Sequence, residues 1–248
     1  MQLQLSTWQE VEDYLKHSTA VIIPIGSTEQ HGPNGFVGTD ALCPEVLAKG
    51  IGEETGALVA PTIAVGMAQH HLGFPGSITL RPSTLIAVLL DQINSLARHG
   101  FDRFYFLNGH GGNIASINAA FSEVYAEASL GRAGHNRPDL RCKLRCWWEA
   151  AGVMDISRRR FGSAEGSHAT CSEISLTYYA YPDHQKQAAM TPEIAPSGPI
   201  YDAEDFRRRY PDGRMGSNPA LASVEAGEEI YKAAVKGLSA DYESFAKG

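Results

Sequence analysis

The run Phe104-Tyr105-Phe106-Leu107-Asn108-Gly109-His110-Gly111-Gly112-Asn113 most restricts what this chain can become. Its apolar, aromatic first half reads as a strand buried on both faces, the kind that parallel sheets use. It stops at an Asn, three glycines and one His, and a helical pattern starts at Ile114. In an open α/β sheet, ligands bind in the crevice beyond the carboxyl ends of the strands. His110 stands at that place, and glycine neighbours let backbone approach a ligand or take positive φ. The same string also reads as a tight strand-to-helix turn, because Gly and Asn favour turns for local reasons. Two phosphate-binding patterns fail. Gly109 and Gly111 fit a dinucleotide fingerprint, but Ile114 takes the third Gly's place, and no Lys-Ser/Thr pair follows as a P-loop requires.

The rest of the chain alternates strands and helices, which predicts one α/β sheet with a parallel core. Two overlapping capping-box patterns in Ser6-Thr7-Trp8-Gln9-Glu10 start a helix that runs to about Lys16. Strands are expected at Ala20 to Ile25, Ala57 to Val65, up to His110, and at Leu140 to Trp148. Helices are expected from Asp40 to Glu54, Ser83 to Gly100, Ile114 to Ser129, Cys171 to Tyr179 and Ala220 to Phe245. Gly131 to Leu140 reads as a polar linker. Ala151 to His168 reads as an irregular lid, and Asp183 to Asn218, with its four prolines, as mostly loop.

The length of 248 residues fits one large α/β domain, and 43% apolar residues can fill a sizeable core. The net charge of −7 argues against nucleic acid as a partner. Arg158-Arg159-Arg160 and Arg207-Arg208-Arg209 read as solvated faces, or as contacts for an anion or a partner subunit. No stretch is apolar enough to cross a bilayer, and Met1 to Leu5 lacks a secretory pattern, so a cytoplasmic protein is expected. Cys43, Cys142, Cys146 and Cys171 form no Cys-x-x-Cys pair and read as free thiols.

Four loops that leave predicted strands carry ligand-type residues: Glu29-Gln30-His31 with Asp40, His70-His71, His110, and His168 with Glu173. Glu29 and His31 are two apart, so in an extended segment they face one side. Asp40, at a helix start, can reach across and bridge two cations. Carboxylates mixed with imidazoles suit Zn²⁺, Mn²⁺ or Fe²⁺. Each residue also has an ordinary use: Asp40 as an N-cap, Glu173 as a first-turn acid favoured by the helix dipole. A serine nucleophile elbow is missing, since Gly26-Ser27-Thr28-Glu29 lacks the second Gly. Cys171, three residues after His168, makes a poor case for a cysteine nucleophile.

Together these motifs resemble the creatininase (creatinine amidohydrolase) family: Gly26-Ser27-Thr28-Glu29-Gln30-His31-Gly32-Pro33 with Asp40, His70-His71-Leu72-Gly73-Phe74-Pro75-Gly76-Ser77, Asn108-Gly109-His110-Gly111-Gly112-Asn113, and His168-Ala169 with Glu173 and Ser175. The resemblance implies a three-layer αβα fold with a mostly parallel central sheet, as a single amidohydrolase domain over 1–248. It implies two divalent metal ions and hydrolysis of a non-peptide or cyclic amide or formamide C–N bond through a metal-activated water. The alternative is a metal-holding homologue that turns over weakly and binds a ligand or partner. By position, Glu29 and His110 resemble ligands of one metal, His31 a ligand of the other, and Asp40 the bridge. His168 matches the catalytic histidine. His70, His71, Gly111 and Gly112 line the expected substrate side. The partners implied are a small-molecule amide and further copies of the chain, as a hexamer. Two positions depart from creatininase. Gly112 replaces a metal-binding Glu, so Glu173 or water must complete the second site, and Ala164 replaces a Trp that closes over substrate. Both argue against creatinine as the substrate.

Overall fold

Strand β1 (Ala20–Ile25) is buried along its whole length and serves two cores at once. Ala20 and Ile22 join one apolar cluster, and Val21, Ile23 and Ile25 join the other, as the period-2 geometry of a strand dictates. The computed structural model describes residues 1–131 and 139–248. Strands β1, β2 (Leu58–Val59), β3 (Arg103–Asn108) and β4 (Arg141–Cys146) form one parallel sheet in the order β2-β1-β3-β4. On one face lie α2 (Thr39–Thr55) and α8 (Val224–Lys247), through Leu47, Ile51, Ile230 and Leu238. On the other lie α3 (Pro82–Arg98) and α4 (Ile114–Ser129), through Leu85, Leu89, Ile93, Ile117 and Phe121. Each such side chain contributes roughly 1.5–3 kcal/mol by leaving water. The fold is three-layered α/β, as expected.

The chain leaves β1 for β2 on one side and comes back to β3 on the other. The carboxyl ends of β1 and β3 therefore flank a topological switch point, the crevice where open α/β sheets bind ligands. The first turn of α2 is driven into that crevice. Pro44 has no N–H, so the Asp40 carbonyl loses its donor within the helix. That carbonyl packs instead against the backbone at both strand ends: a Cβ at Gly26 or at Gly109 would lie 2.0 Å from it. Only glycine fits at either place.

The structure differs from the sequence reading in three segments. Of the strand expected at Ala57 to Val65, only Leu58–Val59 pairs fully, with one further bridge from Ile63 to Ile25. Pro61 lies between them and offers no N–H to a ladder. The irregular lid contains helix α5 (Val153–Arg160). The proline-rich loop contains α7 (Ala203–Arg209), capped by Asp202, acidic in its first turn and basic in its last. Helix α1 (Trp8–Leu15) uses the Thr7–Glu10 capping box, and α6 (Cys171–Ala180) the Thr170–Glu173 one. The linker expected at Gly131 to Leu140 lies for the most part outside the described residues. All four cysteines are free thiols, and no described helix is long and apolar enough to cross a membrane.

Strand β4 ends the sheet, and its Arg141, Lys143 and Arg145 place charge on that edge, which discourages edge-to-edge pairing. Asp241 on α8 ties this edge down. It accepts from Lys143 Nζ and Arg145 Nη2, each at 2.8–2.9 Å, and from the Tyr105 hydroxyl at 2.9 Å. Burial raises the Asp241 pKa, but Arg145 and Lys143 outweigh it and hold the group at about 2. Replacing Asp241 by Ala strands the hydroxyl of the fully buried Tyr105, and we expect a loss of about 1–3 kcal/mol in urea unfolding. The stabilisation from Asp241 is complete above pH 3.8 and fades as pH falls through about 2, so the variant and parent should converge in acid.

Candidate metal centre

After β1 the chain turns sharply and sends the Glu29, Gln30 and His31 side chains, all buried, into the crevice. Asp40 enters from α2, His110 from the end of β3, His71 from the 66–80 loop, and His168 with Glu173 from the start of α6. Asn108 clamps the backbone of His110: its Nδ2 donates to the His110 carbonyl at 2.7 Å and its Oδ1 accepts from His110 N–H at 3.1 Å. Asn113 joins the loops, donating to Gly26 O and accepting from Met67 N–H, both at 2.9 Å.

Asp40 is the hub. His31 Nε2 lies 2.9 Å from its Oδ1, and His110 Nδ1 lies 2.8 Å from its Oδ2. Glu29 Oε2 is 3.3 Å from His110 Nδ1, and Glu29 Oε1 is 3.0 Å from His71 Nε2 and 3.7 Å from His168 Nδ1. Glu173 Oε1 is 3.7 Å from His31 Nε2 while it also accepts from Thr170 N–H at 2.5 Å. Three sets bring ligand atoms within 4.8 Å of one another: Glu29, Asp40 and His110; His31, Asp40 and Glu173; and Glu29, His31 and His168. Asp40 belongs to two of them.

A cation fits this donor set. Glu29 Oε2 is buried and receives no hydrogen bond among the described residues, and Glu29 Oε1 and Asp40 Oδ2, equally buried, face only histidine nitrogens. Such oxygens are costly unless something positive satisfies them. The histidines are also prepared. His31 Nδ1–H donates to Glu29 O at 3.0 Å, and His110 Nε2–H donates to Met67 O at 2.9 Å. Each ring thus turns its other nitrogen toward the carboxylates, the arrangement that orients metal ligands. Carboxylate and imidazole together suit zinc, manganese or iron.

The electrostatics follow from burial and from these pairs. Burial alone pushes His31 and His110 down, but Asp40, with Glu173 for the first and Glu29 for the second, raises them to about 10 and about 9. Burial pushes Asp40 up, yet His31 and His110 hold it well below the usual carboxylate range. Glu29 is raised by burial, and Glu173 by burial to about 7 despite His31. His70 and His71 are lowered by burial to about 4 and about 3, and His168 also well down.

Above this floor opens a cavity of about 800 Å³, lined among others by His70, Gly111, Gly112, Trp148, Arg158 and Tyr201. A Cβ at Gly112 would come within 2.4 Å of His110 Nε2 and 2.6 Å of Met67 O, so this backbone admits no side chain there. His71 lines the cavity, but Gln30 and Glu29 already face its two nitrogens. His70 has no hydrogen bond from its ring among the described residues. Sequence reading missed Phe206, whose ring centroid is 5.5 Å from that of His70 and 4.7 Å from that of His71. The charge pattern of α7 carried that signal. It also missed Trp147 and Trp148, which line the cavity directly after β4.

A profile of the creatininase family, described as creatinine amidohydrolase, matches residues 4–241. The chain belongs to the creatininase family. It is similar to creatinine amidohydrolase of Pseudomonas putida, 30% identical over 94% of this chain and 92% of the relative. It is similar to 3-dehydro-scyllo-inosose hydrolase of Thermotoga maritima, 36% identical over 93% and 78%, and to the mycofactocin precursor peptide peptidase of Mycolicibacterium smegmatis, 29% identical over 88% and 82%. Among solved structures, a mutant creatininase of "Zn-Zn type" superposes with a TM-score of 0.84 at 28% identity, covering 98% of both chains. "Creatininase Mn" gives 0.83 at 26%, with the same coverage. These creatininase-family relatives are hydrolases.

His31 and His110 hold protons at neutral pH until a cation displaces them. Zinc loading at pH 7 should therefore release about two protons, and affinity should rise with pH to about 9–10. Calorimetry in buffers of different ionisation enthalpy measures this, and a proton count of zero would refute it. In the metal-free protein the same pairs stabilise the fold fully below pH 6.5 and lose that contribution as pH rises through about 9 to 10.

Proposed function

We propose that this chain is a metal-dependent amidohydrolase that cleaves a non-peptide or cyclic amide, or a formamide, at its C–N bond. The observation that carries the reading is Asp40, one buried carboxylate shared by two ligand sets, with the Glu29 carboxylate buried beside it. Glu29, Asp40 and His110 would hold one cation; His31, Asp40 and Glu173 would hold the other. Bound there, divalent ions supply Lewis acidity and lower the pKa of water by several units.

The chain's own groups do the rest. His168 is kept neutral by burial, and its Nδ1 faces the carboxylates, so it can take a proton from water and pass it to the leaving nitrogen. Glu173, raised to about 7, is the second candidate carrier, because a proton carrier works best near the operating pH. The amides of Gly111 and Gly112, at the start of a 3-10 turn that lines the cavity, would stabilise the oxyanion. His70, with a neutral ring at the cavity wall, contacts substrate. His71 is assigned to Glu29. With no side chain possible at Gly112 in this backbone, Glu173 is the carboxylate that completes the His31 site.

Three measurements test the reading. Asp40→Ala should lose both cations by metal analysis and all hydrolysis; unchanged stoichiometry would refute the bridge. Glu173→Gln should lower kcat by ~10²–10⁴-fold while one cation stays bound. A panel of formamides, cyclic amides and short peptides should give turnover on the first two classes and little on creatinine. Metal binding with no turnover on any class would favour a ligand-binding homologue, and turnover of peptides alone would move the bond to a peptide.

A further inference from the structure

The histidines of this site are wired in two opposite senses. His31, His110 and His168 each set one ring nitrogen 2.8–3.0 Å from a main-chain carbonyl, that of Glu29, Met67 and Gln30 respectively. A carbonyl only accepts, so that nitrogen carries hydrogen, and in the neutral ring the other nitrogen is bare. Among the described residues, His71 meets no carbonyl there. Its Nδ1 faces the Gln30 side-chain amide nitrogen at 2.9 Å.

The orientation of that amide is fixed by groups with no choice of role. Gln30 Oε1 accepts from Gly32 N–H at 2.8 Å, and Nε2 donates to Gly213 O at 2.9 Å. Turning the amide over would set oxygen against oxygen. Gly213 has φ +86°, and a Cβ there would fall 1.9 Å from Gln30 Oε1, so the loop keeps room for this one side chain. His168 Nε2 also lies 2.9 Å from the amide nitrogen, but its hydrogen goes to the Gln30 carbonyl. The amide's remaining hydrogen therefore points to His71 Nδ1, which must accept. The single hydrogen of His71 is left on Nε2, 3.0 Å from Glu29 Oε1.

We propose that Gln30 is a positioning residue that sets the tautomer of His71, making it an N–H group against Glu29 and keeping it out of the cation's ligand set. The inference rests on the proposed function only in taking Glu29 as a ligand. The consequence is selective: of four histidines around the carboxylates, the side chain of Gln30 disables one as a ligand and turns it into a support.

Long-range proton–nitrogen NMR on the zinc-loaded protein reads the tautomer of each histidine. In the wild type, His71 should show hydrogen on Nε2 and a bare Nδ1; the reverse would overturn the proposal. Gln30→Glu keeps the shape but can only accept at that position, so His71 Nδ1 should gain a hydrogen, and kcat/KM on a substrate from the amide panel should fall ~10–100-fold. A bare Nδ1 on His71 in a folded Gln30→Glu also overturns it. Should that variant not fold, Gln30→Met removes the donor without adding a charge, and His71 should then populate both tautomers; a single Nε2–H form would sink the idea. Absence of hydrolysis on every panel class, with the wild-type tautomer as stated, would defeat the amidohydrolase reading and leave this inference standing.

Discussion

The structure depends on how closely one helix turn approaches two strand ends. The Asp40 carbonyl, freed by Pro44, sits against backbone at Gly26 and Gly109. This contact sets the depth of α2 between β1 and β3, and so delivers the Asp40 carboxylate between His31 and His110. A methyl group at either glycine would push the turn outward. The carboxylate would then miss one imidazole or both, since a few tenths of an ångström separate a hydrogen bond from a void. Backbone packing and site geometry are here one requirement.

Concentrating carboxylates and imidazoles in a buried crevice is unfavourable unless their charges are balanced. Without a cation, the balance comes from protons on His31 and His110, drawn there by Asp40, Glu29 and Glu173. His70, His71 and His168, farther from the shared carboxylate, stay neutral because burial outweighs attraction. The site thus sorts five histidines into two charge classes by distance from Asp40. Attraction to the ionised Asp40 at 2.8–2.9 Å outweighs desolvation for His31 and His110, whereas His71, whose contact is with Glu29, stays neutral.

Much of this was legible in the sequence, for identifiable reasons. Ala20–Ile25 and Arg103–Asn108 are buried on both faces, so their apolar runs marked them as parallel strands, and the glycines after them marked the crevice. Glu29, His31, Asp40, His110, His168 and Glu173 stood in loops or helix starts next to strand ends, and the structure brings them together. What did not show was what depends on tertiary contact. Helix α7 hid among prolines although Asp202 and its charge gradient announced it, and its Phe206 reaches the histidines only through folding. Nothing in the sequence marked a separate task for Gln30, because its partners at His71 and Gly213 are remote along the chain. Glu173 as a first-turn acid of a helix and Glu173 as a cation-facing acid looked like rival uses. The side chain does the first and stands within reach of the second.

That double duty links two equilibria. The oxygen that closes the first turn of α6 at Thr170 is the one nearest His31. Whatever draws the carboxylate inward releases an amide at the helix start, and by reciprocity a firmer cap weakens the pull of the site. Helix α6 lies on α8, where a Cβ at Gly227 would fall 2.0 Å from the Ser175 carbonyl. Filling the crevice and closing the first turn of α6 therefore compete for a single oxygen, and the start of that helix is where the two demands meet.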